Sequence, residues 1–234
     1  MISKLISESE DYLVFYKPSG IPTVPLKNQD ADTLTLLGVV ASAYPEVLEV
    51  TGRNPWEGSA IHRLDTPTSG LVLFARNQKS YDYLQNLQIN DLFIKYYRVN
   101  TVQKDCNLEG FPKYPFEDPS VASCLVISSE FRPYGKKGAS VRPVTDSSKY
   151  HHTGRIYSTY VENESENVFI CSLKRGFRHQ IRCHMAWSGH AIVGDVLYGA
   201  DRSDVFGLEA IGLSFPEKDG REIVFGTISQ HRIR

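Results

Sequence analysis

The sequence predicts an α+β fold, a mixed and mainly antiparallel sheet flanked by helices and loops. Three observations lead there. Short apolar or alternating runs that read as strands outnumber the segments with helical spacing. Turn-forming residues, rather than regular helices, separate those runs. No internal repeat or low-complexity tract interrupts the 234 residues. With 41% hydrophobic residues, a chain of this length can bury a large core without splitting, so one domain over residues 1–234 is expected.

The elements follow in order. Residues 12–16 read as a strand closed by Lys17-Pro18-Ser19-Gly20-Ile21-Pro22, where proline and glycine force a turn. Leu34, Leu37, Val40 and Ala41 recur at helical spacing, which predicts a helix over residues 33–43 with Asp32 or Thr33 as N-cap and Pro45 beyond its end. Residues 70–75 form a buried strand, and Asn77 then caps a helix through Leu87 whose Tyr81, Leu84 and Leu87 lie on overlapping faces. Residues 93–102 alternate, placing Lys95, Tyr97 and Val99 on one side of a strand. Further strands are expected over residues 122–128, 155–161, 167–173 and 222–226. Between Phe131 and Tyr150 apolar periodicity is lost while Arg132, Lys136, Lys137, Arg142 and Lys149 accumulate. That stretch is expected to be a long exposed loop with the composition of a phosphate-contacting arm.

The formal net charge is −1 and the pI near 6.7, so a polyanion could be held only by a local basic face. Four cysteines without Cys-x-x-Cys spacing suit a reducing compartment, and the cytoplasm is the expected location. No apolar run approaches the ~20 residues needed to span a bilayer, and no targeting segment or membrane contact is expected.

Chemistry concentrates in two stretches. Residues 61–76 read Ile-His-Arg-Leu-Asp-Thr-Pro-Thr-Ser-Gly-Leu-Val-Leu-Phe-Ala-Arg. They set one carboxylate, Asp65, beside His62 and Arg63 and directly before the buried strand, a layout for an ionised acid working next to an anionic polymer. Residues 173–199 contain Arg178, His179, Gln180, Arg182, His184, His190 and Asp195. His179 and Cys183 lie four apart with Cys171, His151, His152 and His184 available, but the pairs lack zinc-site spacing, and neither a metal nor another cofactor is expected. Asp195, in Val-Gly-Asp, reads as a turn or cap residue. His62 and His190 read as hydrogen-bonded structural residues.

The pattern His-Arg-Leu-Asp-x-x-Thr-Ser-Gly-Leu-x-Leu-Phe-Ala resembles the catalytic motif of the RluA-type RNA pseudouridine synthases. The second stretch is similar to the same family at Gly176, His179, Gln180, Ile181, Arg182, His184, Gly189, His190, Ile192, Gly194, Asp195, Tyr198 and Gly199. It departs from the pattern at Phe177, where the family has an arginine, and at Ala191, where it has a proline. Lys95-Tyr96-Tyr97-Arg98-Val99 is similar to the family's Lys-x-Tyr-x-Ala, and weaker matches reach Tyr16-Lys17-Pro18-Ser19-Gly20 and Leu208 to Phe215.

The resemblance implies a single catalytic domain of the pseudouridine synthase fold; no N-terminal S4 module is expected, because few residues precede the first expected strand. It implies a cofactor-free isomerisation of uridine in a structured rRNA or tRNA stem-loop, by a protein with no obligate protein partner, expected to act as a monomer. It makes Asp65 the catalytic aspartate, Arg182 the arginine paired with it, and Tyr97 the active-site tyrosine. Such an arginine would keep the aspartate anionic and fix its rotamer. Tyr97 would stack under the extruded uracil, and Arg63 would fill the vacancy that flipping leaves. His62, Arg63, Arg178, His179, Gln180, Lys136, Lys137 and Arg142 are the candidate RNA contacts. Two other classes are compatible with parts of the pattern. A non-catalytic RNA-binding protein should have lost Asp65 or its arginine, and a glycosidic-bond hydrolase would need a second carboxylate, for which Asp195 is the motif-linked candidate.

Overall fold

The computed structural model describes residues 3–25, 33–104, 108–146 and 149–228. The chain forms two compact units, Met1–Phe93 with Ala210–Arg234, and Ile94–Glu209. The first holds β1 (Lys4–Glu8), β2 (Tyr12–Lys17), α1 (Leu36–Ala43), β3 (Ser69–Ala75) and α2 (Gln78–Ile89). The second holds β4 (Ile94–Gln103), β5 (Cys124–Tyr134), β6 (Ser140–Val144), β7 (Tyr157–Ser165), β8 (Val168–Leu173), α3 (Gln180–Trp187) and β9 (His190–Ile192). The chain then runs through β10 (Leu208–Pro216) and β11 (Glu222–Gly226). The described strand pairings are antiparallel, which agrees with the expected α+β class.

In the first unit β2 pairs β1 on one side and β3 on the other, and β10 pairs β11. Nearly every side chain of β2 and β3 is buried, on both faces of the sheet, and α2 packs on β3. Tyr81, Leu84 and Leu87 of α2 pack on Val14, Leu71, Leu73, Phe93, Leu213 and Phe215. Asn77 caps α2 by accepting from the Ser80 N–H at 2.9 Å, as its position before the helix predicts. The first helix is shorter than expected. It starts at Leu36, capped by Thr35 through the Gly38 N–H, while the N–H groups of Leu36 and Leu37 donate to the carbonyls of Pro22 and Thr23. Thr33 therefore lies before the cap, and Asp32 lies outside the described residues.

In the second unit the strand order is β4-β8-β7-β5-β6, with β9 on the far end of β4. Lys95, Tyr97, Val99 and Thr101 of β4 are buried while Arg98, Asn100 and Val102 are exposed, as the period of two requires. All eight residues of α3 are buried. The expected long loop over 131–150 is instead largely a β-hairpin: β5 continues to Tyr134, a tight turn carries Lys136 and Lys137, and β6 returns through Val144. Phe131 and Val141 pack with Cys183, Ala186 and Tyr198, and Phe177 stacks on Phe131 at 5.1 Å. Phe177 is thus a core ring of this hairpin rather than a surface contact.

His184 lies wholly inside this unit, its Nδ1 2.8 Å from Thr159 Oγ1 and its Nε2 3.0 Å from Ser129 Oγ. Burial brings its pKa down to about 3 from the ordinary 6.5. Unfolding exposes the imidazole, which takes up a proton the folded state excludes, so the stability it supports is complete above about pH 6.5 and is lost as pH falls toward 3. The expected slope is at most ~1.4 kcal/mol per pH unit. Urea midpoints measured from pH 7 to 4 should decline less steeply for His184→Gln than for the parent; identical slopes would remove His184 as the cause.

Candidate active site

Asp65 is half-buried in the turn leading into β3. Its carbonyl accepts from the Thr68 N–H at 3.0 Å. The turn is clamped by the segment after β2. Leu64 exchanges two 3.0 Å hydrogen bonds with Thr23 Oγ1, the Gly20 N–H donates to Thr66 O at 2.9 Å, and Ser19 Oγ donates to Pro67 O at 2.7 Å. At the centre is Lys17, with no exposed surface. Its ammonium donates to the carbonyls of Pro18, Ile21 and Thr66 at 3.0, 2.7 and 3.2 Å. Burial pulls its pKa down to about 8, against the opposing pull of the Asp65 charge. An ammonium offers three donors and suits three converging carbonyls. Lys17 thus ties this turn to the segment after β2, and its place in the Lys-Pro-Ser-Gly turn is the sequence signal for it.

Gly70, five residues after Asp65, has φ +120°, and a Cβ there would sit 2.2 Å from Ala210 O. Only glycine lets β3 pass this close to β10 immediately after the acid. His62 is buried, accepts weakly from the Leu73 N–H at 3.4 Å, and packs its ring on Phe93. Arg63 has a half-exposed side chain that pairs with Glu57 at 2.8 Å.

Tyr97 is buried in the middle of β4, opposite Cys171 of β8. Its neighbour Lys95 donates to Lys174 O at 3.3 Å. Arg182, on α3, has a buried side chain whose Nε and Nη2 donate to the two oxygens of Asp195 at 2.6 and 2.8 Å. Tyr198 and Phe206 flank the guanidinium at 5.2 and 5.5 Å. This bidentate carboxylate is a partner the sequence reading did not name. Asp195 does cap a turn, since its carbonyl accepts from the Tyr198 and Ala200 N–H groups. Its carboxylate, 1% exposed and occupied by Arg182, is no free second acid for a hydrolase.

The remaining candidates divide sharply. Lys136 and Lys137 are exposed at the hairpin tip, and Arg178 reaches the same turn by donating to Gly138 O and to Ser140 O at 3.2 Å. His179 is exposed enough to meet solvent, starts α3 in a left-handed conformation (φ +57°), and contacts Tyr198 OH at 3.2 Å. Two assignments are corrected. Arg142 is 6% exposed and spends its donors on the carbonyls of Glu109 and Val141, so it cannot belong to an exposed arm. Gln180 is 2% exposed; it accepts from the Phe177 N–H and donates to Ser158 O and Thr159 Oγ1, which makes it the brace of the 177–180 turn. Among the described residues no three His, Cys, Asp or Glu side chains are grouped to hold a metal ion, and no helix is long and apolar enough to cross a membrane.

Residues 11–187 match the family model described as RNA pseudouridylate synthase. The chain is 30% identical over 202 residues to a tRNA pseudouridine(31) synthase of Saccharomyces cerevisiae, covering 83% of this chain and 46% of that protein. It is 29% identical over 196 residues to ribosomal large subunit pseudouridine synthase D of Buchnera aphidicola, covering 83% and 53%. A Bacillus subtilis protein described as an uncharacterized RNA pseudouridine synthase is 25% identical over 205 residues, covering 86% and 62%. The chain thus spans about half to three-fifths of the length of these relatives. In fold it is similar to human RNA pseudouridylate synthase domain containing 1, with a TM-score of 0.67 at 19% identity, over 97% of this chain and 84% of the other.

Proposed function

Since this chain belongs to the RNA pseudouridylate synthase family, we propose that it isomerises uridine to pseudouridine in a structured rRNA or tRNA stem-loop. The observation that carries the reading is the coincidence of the motif match at Asp65 with a turn that is tightly ordered around it. Three carbonyls around Lys17 and a hydroxyl exchange with Thr23 order the backbone on both sides of it.

The reaction breaks the bond from uracil N1 to ribose C1′, turns the base, and joins C5 to C1′. The C5 proton is lost and N1 gains one, so no atom is consumed. Asp65 can attack covalently or remove a ribose proton to give a glycal-type intermediate, and either route requires the carboxylate to be ionised. The motifs assign Arg182 to hold that charge and Tyr97 to stack under the base and assist the C5 proton. Asp195 supports the first assignment by fixing the Arg182 fork. Arg63, the nearest exposed cation in sequence, would have to leave Glu57 to replace a flipped base. The reading includes a cytoplasmic monomer, in keeping with the free thiols of Cys124, Cys171 and Cys183.

The test is conversion of uridine in transcribed stem-loops, read as carbodiimide-dependent reverse-transcription stops, with transcriptome mapping in cells with and without the protein to find the target. Release of free uracil instead of pseudouridine would replace isomerase by hydrolase. RNA binding is expected to fall steeply with salt, because a protein of net charge −1 must hold phosphates locally. Lys136→Glu with Lys137→Glu should weaken binding and flatten the plot of log affinity against log salt. An unchanged slope would exclude the hairpin tip as a phosphate contact.

A further inference from the structure

The face of the β5–β6 hairpin carries an unusual arrangement for a sheet. Arg132 and Arg142 are direct cross-strand partners, and like charges placed opposite one another destabilise a sheet. Neither has a carboxylate partner among the described residues. Each guanidinium donates to backbone carbonyls, Arg132 to Gly110 O at 3.1 Å and Arg142 to Glu109 O at 2.8 Å. What separates the charges is aromatic. Tyr134, two residues beyond Arg132 and so on the same face, lies 5.2 Å from the Arg132 guanidinium and 4.2 Å from that of Arg142. Phe111 closes one end against Arg142 at 4.7 Å, and Tyr150 closes the other against Arg132 at 4.3 Å. Rings and guanidiniums alternate in the series Tyr150, Arg132, Tyr134, Arg142, Phe111.

The two ends differ. Phe111 is packed into the core of the hairpin, whereas Tyr150 is 50% exposed. The charge around the open end is mostly positive, with Lys149 paired to Asp146 at 3.7 Å. Residues 131–155 contain six Lys and Arg against one acid, Asp146. Elsewhere Arg63, Arg76, Arg98 and Arg221 each sit against a carboxylate, but among the described residues Lys136, Lys137 and Arg178 have none. An open aromatic ring backed by a guanidinium, on the hairpin whose turn carries Lys136 and Lys137, matches a stacked base with its phosphates.

We propose that Tyr150, held on Arg132, is a stacking platform for an unpaired base of single-stranded RNA, with Lys136, Lys137 and Arg178 holding the adjoining phosphates. The site would bind a nucleotide of the RNA other than the uridine that reacts. The identification of the ligand as RNA rests on the proposed function. The platform itself is tested without the reaction.

The probes are a fluorescent oligoadenylate of twelve nucleotides, which offers no uridine, and an abasic ribose-phosphate oligomer of equal length and charge. Anisotropy titrations of the whole protein should show tighter binding of oligoadenylate than of the abasic strand. Tyr150→Ala should weaken oligoadenylate binding about tenfold, the scale of one base-aromatic stack, and leave the abasic strand unaffected. Tyr150→Trp should restore the difference, with tryptophan fluorescence quenched on binding. Lys136→Glu with Lys137→Glu should weaken both strands alike. Absence of oligoadenylate binding, equal affinity for the two strands, or a Tyr150→Ala protein of parental melting temperature and parental oligoadenylate affinity would each overturn the platform. Failure of uridine conversion with the stacking pattern intact would instead remove the isomerase reading and leave the platform standing.

Discussion

Asp65→Asn is expected to lower turnover by several orders of magnitude while the protein stays folded and still binds RNA. Asparagine keeps the size of the side chain, and backbone groups of Leu64, Thr66 and Pro67 clamp this turn. The loop should therefore retain its shape. What is lost is the negative charge that both routes require, so kcat should fall with little change in RNA affinity. If affinity moves at all it should rise slightly, because the carboxylate repels phosphate. The measurement pairs single-turnover conversion with a binding titration and a melt. A folded Asp65→Asn protein converting uridine near the parental rate would refute the assignment.

The second large effect is on stability. Asp195→Ala should destabilise the protein by ~3–5 kcal/mol, because it leaves the buried Arg182 guanidinium without its bidentate partner. Folded proteins of this kind are stable by only about 5–15 kcal/mol, so the melting temperature should fall by on the order of 10 °C. Arg182→Met with Asp195→Leu should recover much of that loss, since an apolar pair removes both desolvation costs together. It should not recover turnover if the proposed role of Arg182 holds, and a double variant converting uridine at the parental rate would limit the pair to architecture. A loss below about 1 kcal/mol for Asp195→Ala would show that water reaches Arg182 and that the pair is not closed.

The parts of the fold that were legible in the sequence are those in which a local rule and the tertiary environment agree. β3 is apolar because both its faces are covered, and α2 begins directly after Asn77 because an amide side chain there satisfies the Ser80 N–H. The hairpin at residues 124–144 was partly hidden. Its second half fills one face with Arg132, Tyr134 and Arg142 instead of aliphatic residues, and Pro133 and Pro143 lie within its strands. A composition of that kind reads as loop. β1 was missed because it is a polar edge strand with alternately exposed residues. At the site, Asp65 stood out because its surroundings are contiguous in sequence. The Lys17 clamp and the Arg182–Asp195 pair join residues 49 and 13 positions apart, and no short-range pattern announces either contact.

The charge on the hairpin segment also bears on how quickly the protein finds its ligand. Residues 131–155 carry +5, which leaves −6 for the rest of a chain whose total is −1. A polyanion approaching in a random orientation is therefore pushed away by most of the protein and drawn in at one segment. Productive encounters are selected before any contact forms, and the association rate rather than the dissociation rate should carry much of the ionic-strength dependence. Neutral ligands gain nothing from such a field. In a crowded solution of many polyanions, the acidic remainder of the chain suppresses idle adhesion elsewhere on its surface, so near-neutrality in total is compatible with fast and selective capture of a polyanion.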